Sequence, residues 1–257
     1  MLRALAEAGI KPDLVVGTSV GAINGVFIAA APDQAAERLT ALWEGDSLRL
    51  AFSETLLGRA GRLLKSGTHL HSLEPLERLL SSELPCDQFA DLALPFQCVA
   101  ASIEGASARW FDRGPVVPAV MASCAVPGLL PPVAVDGEHY FDGGLVDSIP
   151  VGRAVALGAD VVYVLQVGRI ESPLAVPTRP WQVGLVAFEI ARRHRFHEEM
   201  ASLSAGGAVR VHVLPTGGDT QTPGLSQFRY RDTARVGASI SRAYAASASY
   251  LNALAGG

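Results

Sequence analysis

Residues 13–31 constrain the structure more than any other stretch of this chain. Asp13-Leu14-Val15-Val16 is a short apolar run, Gly17-Thr18-Ser19-Val20-Gly21 follows at once, and residues 22–31 (AINGVFIAAA) are small and apolar. A buried strand that reverses this tightly into a helix strains the backbone at its apex and leaves little room for side chains beside it. Glycine at positions 17 and 21 meets that demand on both sides of Ser19. The Ser19 hydroxyl then projects at a helix N-terminus, where N–H groups favour developing negative charge. Two readings follow. Either Ser19 caps the helix and the glycines permit close helix–sheet packing, or Ser19 is a nucleophile.

The same stretch has to be tested against a membrane. Leu14 to Pro32 runs 19 residues without a charge, close to the ~20 that cross a bilayer. Gly17, Thr18, Ser19, Gly21, Asn24 and Gly25 interrupt it, however, so a strand entering a small-residue helix explains it better. Gly114 to Val135 is also uncharged, but Pro115, Pro118, Pro127, Pro131 and Pro132 would break a spanning helix repeatedly. The first residues, MLRALAEAGIKPD, lack the apolar core of a signal peptide. The expectation is a soluble, cytoplasmic protein with no transmembrane segment, peripheral contact with a membrane surface staying open.

Composition excludes further classes. A hydrophobic fraction of 49% and a mean hydropathy of +0.27 exclude intrinsic disorder. Acidic residues outnumber basic ones, 25 to 21, with no basic stripe, which argues against a nucleic-acid partner. Cys86, Cys98 and Cys124 have no CxxC spacing and read as reduced core thiols, leaving no metal site and no cofactor to expect.

Along the chain, a first helix carries Leu2, Leu5 and Ala6 on one face and ends at Gly9. Helices are expected over Gln34–Glu44, Glu189–Ala201 and Asp232–Leu254, and helices joined by loops from about 45 to 90. Strands are expected at Phe96–Ser102, Asp160–Val167 and Arg210–Leu214, and a proline-containing loop at Ser172–Pro180. Strands alternating with helices predict an α/β domain, a mainly parallel central sheet flanked by helices, with Val15-Val16 and Val161–Val164 in central strands. One domain over residues 1–257 is expected. A chain of this class ordinarily opens on a strand, yet this one opens on a helix.

A serine nucleophile needs a proton acceptor. The six histidines, His69, His71, His139, His194, His197 and His212, offer no obvious late member of a Ser–His–Asp triad. His139 is placed on a hairpin leading to Asp142, and His194 and His197 on a solvated basic helix face. Asp142-Gly143-Gly144 is the second candidate, because two glycines let backbone approach whatever the carboxylate serves, although DGG is also a good turn sequence.

Taken together, GTSVGAING around Ser19, ASCAVPGLLPPV from Ala122 to Val133, and DGGLVDSIPV from Asp142 to Val151 resemble the patatin-like phospholipase family. LGADVVYVLQV resembles its next strand, so the motif-bearing part covers about residues 1–167. The resemblance implies a three-layer α/β/α fold and a serine acyl hydrolase of esterase or phospholipase A type, cleaving lipid acyl esters through a Ser–Asp dyad and an acyl-enzyme. Ser19 would be the nucleophile and Asp142 the proton acceptor, flanked by Gly17, Gly21, Gly143 and Gly144, with the Val20 N–H as a partial oxyanion donor. A carboxylate is a weak base in water and serves better when desolvated and bonded to the hydroxyl. Members of the family carry a strand and a glycine-rich oxyanion segment before the first helix. Their absence here implies an N-terminally incomplete domain. The alternative is a catalytically weak or inactive lipid-binding protein on the same fold.

Overall fold

The computed structural model describes residues 1–45, 69, 71–166, 173–178, 180–206, 209–218 and 233–256. In chain order the helices are α1 (Leu2–Glu7), α2 (Val20–Ala30), α3 (Ala35–Glu44), α4 (Glu74–Glu83), α5 (Val116–Ser123), α6 (Val151–Ala156), α7 (Pro180–Gly206) and α8 (Thr233–Ala255). The strands are β1 (Val15–Thr18), β2 (Phe96–Ser102), β3 (Ser107–Phe111), β4 (Val133–Val135), β5 (Glu138–Asp142), β6 (Val161–Val164) and β7 (Arg210–Val213). They divide into two compact units, residues 14–148 and residues 1–13 with 149–257.

In the 14–148 unit, β2 is the organising strand and is buried at all seven positions. It pairs in parallel with β1, Val15 opposite Phe96 and Thr18 opposite Val99. It pairs antiparallel with β3 and β5, and β5 pairs antiparallel with β4. Helices α2 and α5 pack on the sheet, α3 against α2 and α4 against α5. Gly25 sets how closely α2 can lie: a β-carbon there would sit 2.7 Å from the Phe96 ring and 3.2 Å from Val15. Pro118 does not break α5, because it occupies the first turn, where N–H groups have no intrahelical acceptor.

The α/β class is as expected, but the parallel character of the sheet is narrower than the sequence suggested. Among the described residues only β1–β2 is parallel in the sheet of this unit. The reason is loop length. β4 and β5 are joined by Asp136-Gly137, both at positive φ (51° and 85°), a two-residue reversal that only antiparallel strands can use. Nor is β1 central among the described residues, where β2 is its sole strand partner.

The other unit holds β6 paired in parallel with β7. Val151, Val164 and Phe196 form one apolar cluster, and Ala4, Leu5, Leu214 and Leu251 a second. α1 is tied to α8: the Tyr244 hydroxyl donates to Glu7 at 2.6 Å, and the Arg3 guanidinium lies 4.1 Å over the Tyr244 ring. Glu189 is buried on α7 between Arg192 (3.1 Å) and Arg193 (3.3 Å). The strand expected at Asp160–Val167 is shorter than predicted, and three of its four residues are only half-buried. α7 extends well beyond the helix expected at Glu189–Ala201. Of the loops and helices expected from 45 to 90, residues 46–68 and 70 lie outside the described residues, and α4 falls in the remainder.

Candidate active site

β1 ends at Thr18 and α2 starts at Val20, so the whole reversal falls on Ser19. Its backbone sits at φ 55°, ψ −121°, a conformation that costs a non-glycine residue roughly 1–3 kcal/mol and must be held by its surroundings. Gly17 is required by close approach, since a β-carbon there would collide with the Gly21 carbonyl. The steric reason expected for Gly21 does not hold. Among the described residues, its chain neighbours and own helix backbone aside, nothing lies within 4 Å of where its β-carbon would be. Thr18 Oγ1 donates to the Asp147 carbonyl at 2.8 Å, fastening the elbow to the segment that follows Asp142.

Ser19 stands at the N-cap position, yet its side chain makes no capping bond. The hydroxyl instead donates to Asp142 Oδ2 at 2.5 Å, a length typical of a hydroxyl bonded to an ionised carboxylate. The bond is direct, with no ring between the two side chains. Asp142 closes β5 and is 2% exposed. Its other oxygen, Oδ1, accepts the Gly144 N–H at 2.7 Å, which fixes the plane of the carboxylate. Gly143 is needed because a β-carbon there would strike the Val99 carbonyl of β2. The two glycines thus do different things. One lets the chain lie against β2, and the other turns an N–H onto the carboxylate.

Three buried residues at the end of α5 meet this pair. The Ser19 N–H donates to Ser123 Oγ at 2.9 Å, and the Asp142 N–H donates to the Ala125 carbonyl at 2.9 Å. Between them, burial pushes the Cys124 thiol well above its ordinary range. The Asp142 carboxylate and Cys98 push the same way, and a hydrogen bond to Ser19 acts against them. The sequence pointed to Ala122–Val133 as a motif but assigned no role within it. A serine inside an apolar helix carries no signal of its own. Val20 is the first residue of α2, a position whose N–H has no intrahelical acceptor.

The histidines are occupied elsewhere where the structure describes their partners. His139 precedes Asp142 by three positions on β5, so the pleat turns it to the opposite face, where Nδ1 lies 2.7 Å from Glu104. His212 Nδ1 lies 3.1 Å from the Tyr250 hydroxyl, and His194 lies 3.4 Å from Glu198. Cys98 and Cys124 are buried and Cys86 half-buried, all three as free thiols. Among the described residues no group of three or more His, Cys, Asp or Glu side chains is placed to hold a metal ion. No helix among them is long and apolar enough to cross a membrane.

Comparison with known proteins gives this geometry its context. Over 180 residues the chain is 31% identical to lysophospholipase nte1 of Emericella nidulans, covering 66% of this chain and 11% of that protein. Over 206 residues it is 28% identical to an uncharacterised NTE family protein of Mycobacterium bovis, covering 80% of this chain and 54% of that one. The chain therefore spans about half the length of the mycobacterial relative and about a ninth of the fungal one. The sequence model of patatin-like phospholipases matches residues 1–155, which contain the Ser19 elbow, the Ser123 segment and Asp142. The chain belongs to the patatin-like phospholipase family.

Proposed function

We propose that this chain is a serine acyl hydrolase that cleaves lipid acyl esters, with Ser19 as nucleophile and Asp142 as the group that takes and returns its proton. The observation that carries the reading is the direct 2.5 Å bond from the Ser19 hydroxyl to Asp142 at a strained strand–helix elbow. Family membership and the lysophospholipase relatives support a lipid ester as substrate. Three free thiols fit a reducing, cytoplasmic setting.

The chemistry balances with these two side chains. Ser19 Oγ attacks the ester carbonyl carbon as its proton passes to Asp142 Oδ2, and negative charge gathers on the carbonyl oxygen. The Val20 N–H, at the positive end of α2, is the donor this chain offers to that oxygen. When the tetrahedral intermediate collapses, the bond to the alcohol oxygen breaks and Asp142 returns the proton to it, leaving an acyl group on Ser19. Water then attacks the acyl carbon as Asp142 takes its proton. The carboxylic acid departs and Ser19 recovers its hydrogen. Gly144 holds Asp142 throughout by its bond to Oδ1, so Oδ2 stays directed at the hydroxyl.

Hydrolysis of p-nitrophenyl butyrate and of a lysophospholipid tests this reading. Turnover should vanish in Ser19→Ala and fall by about 10²–10⁴-fold in Asp142→Asn. Equal turnover in Ser19→Ala and the unaltered chain would overturn it. Lipid binding with no turnover in any form would favour a binding protein on this fold.

A further inference from the structure

Ser19 and Asp142 lie 123 positions apart and arrive on different elements, one on the β1–α2 elbow and one at the end of β5. Both elements are hydrogen-bonded to β2, where Thr18 lies opposite Val99 and Asp142 opposite Ala100. A second link reaches the backbone N–H groups of Ser19 and Asp142 themselves. Ser123, the last residue of α5, accepts the Ser19 N–H, and Ala125, two residues on, accepts the Asp142 N–H, each at 2.9 Å. Ser123 and Ala125 are both 0% exposed. α5 anchors the segment firmly, because the Cys124 N–H reaches both the Val120 and Met121 carbonyls at 3.1 Å. A hydroxyl buried this completely inside an apolar helix is costly to desolvate and has to return something in bonds.

We propose that Ser123 is a positioning residue, which clamps the strained Ser19 backbone while the adjoining Ala125 carbonyl clamps Asp142, so that the end of α5 refines the spacing that β2 sets. This rests on the hydrolase reading for its consequence, though not for the clamp itself. Without the Ser123 oxygen, the Ser19 N–H loses its acceptor and the elbow can relax towards ordinary dihedrals. That movement carries the hydroxyl away from Oδ2. Misplacement by about 1 Å costs on the order of 10²-fold in rate.

The test compares Ser123→Ala with Val120→Ala, a cavity on the same helix at a residue that is also 0% exposed and has its side chain in the core. Two readouts are needed. Amide hydrogen exchange at Ser19 reads the clamp, and the rate of Ser19 modification by a fluorophosphonate reads its consequence. Exchange should be about tenfold faster or more in Ser123→Ala and unchanged in Val120→Ala. Modification should slow by about 10²-fold in the first only. If Ser123→Ala does not fold, Ser123→Cys keeps the volume with a weaker acceptor and should show the same two changes in smaller measure. Unchanged Ser19 exchange in the Ser123 variants, or equal effects from Val120→Ala, overturns the proposal. If the unaltered chain is not modified at all, the hydrolase reading fails instead, and Ser19 exchange alone decides the clamp.

Discussion

Two helix N-termini in this molecule are treated in opposite ways. At α6 the Gly152 N–H is satisfied by Glu199 Oε1 at 2.8 Å, a carboxylate reaching across from α7. At α2 the residue in the N-cap position has a hydroxyl that could serve and does not, because it is committed to Asp142. A helix start ordinarily takes a side-chain acceptor for roughly 0.5–2 kcal/mol of stability. Forgoing it at α2 leaves the first turn without a side-chain acceptor beside Ser19, as the proposed acyl transfer would require. The first terminus serves stability, and on the proposed reading the second is kept for chemistry.

The contrast extends to what blocks each glycine. At Gly17 and Gly143 a methyl group would meet backbone carbonyls, which cannot swing aside, whereas at Gly152 it would meet the end of the Glu199 side chain, which can. The largest expected effect is therefore at the elbow. Gly17→Ala and Gly143→Ala should each lose about 3 kcal/mol in urea unfolding. Gly152→Ala should lose about 1 kcal/mol, the worth of the displaced hydrogen bond. Gly21→Ala should be neutral or slightly stabilising, since its methyl meets open space within a helix. Comparable losses at 17 and 152 would erase the distinction between the two termini.

How much of this was legible beforehand depends on which residues carry their own pattern. β2 was predicted with its observed bounds, Phe96–Ser102, because an apolar run buried along its whole length reads without context. The elbow was legible because glycine spacing encodes steric need, correctly at Gly17 and for the wrong reason at Gly21. β3 was missed because its first three residues are exposed and Arg109 interrupts the alternation. The antiparallel β4–β5 pair turns at Asp136-Gly137, a strong hairpin signal, and the sequence places His139 on that hairpin without extending it to the direction of the sheet. Ser123 lies in the Ala122–Val133 stretch that carries the resemblance, but its role was not legible. Its partner lies 104 positions away, and no local pattern distinguishes a buried hydroxyl that grips a distant N–H from one that does nothing.

Two smaller effects sharpen the comparison. In the 14–148 unit, burial raises the Cys98 and Cys124 thiols, while the half-buried Cys86 is raised by burial together with Asp91 and Asp87. Iodoacetamide at pH 8 should therefore reach Cys86 first, and the other two only on unfolding, as peptide mass mapping would show. In the other unit, burial raises the Glu199 carboxyl, against the opposing Gly152 bond and Arg195. Its protonated form is thus favoured by folding. That contribution is complete below the unfolded value near 4.5 and is lost as pH rises through the raised folded value. Glu199→Gln should accordingly raise Tm by about 1–2 °C at pH 8 and leave it unchanged at pH 4, a small effect because the group is half-exposed. A gain at pH 4 instead would reverse the sign of that coupling.

The most direct measurement of the central claim is the site and dependence of fluorophosphonate labelling, mapped by mass spectrometry in the unaltered chain, in Asp142→Asn and in each of the six His→Ala variants. A Ser–Asp pair without a histidine predicts an adduct on Ser19 that survives every histidine replacement and is lost or slowed by about 10²-fold or more in Asp142→Asn. An adduct that persists undiminished in Asp142→Asn but disappears with one histidine would contradict it.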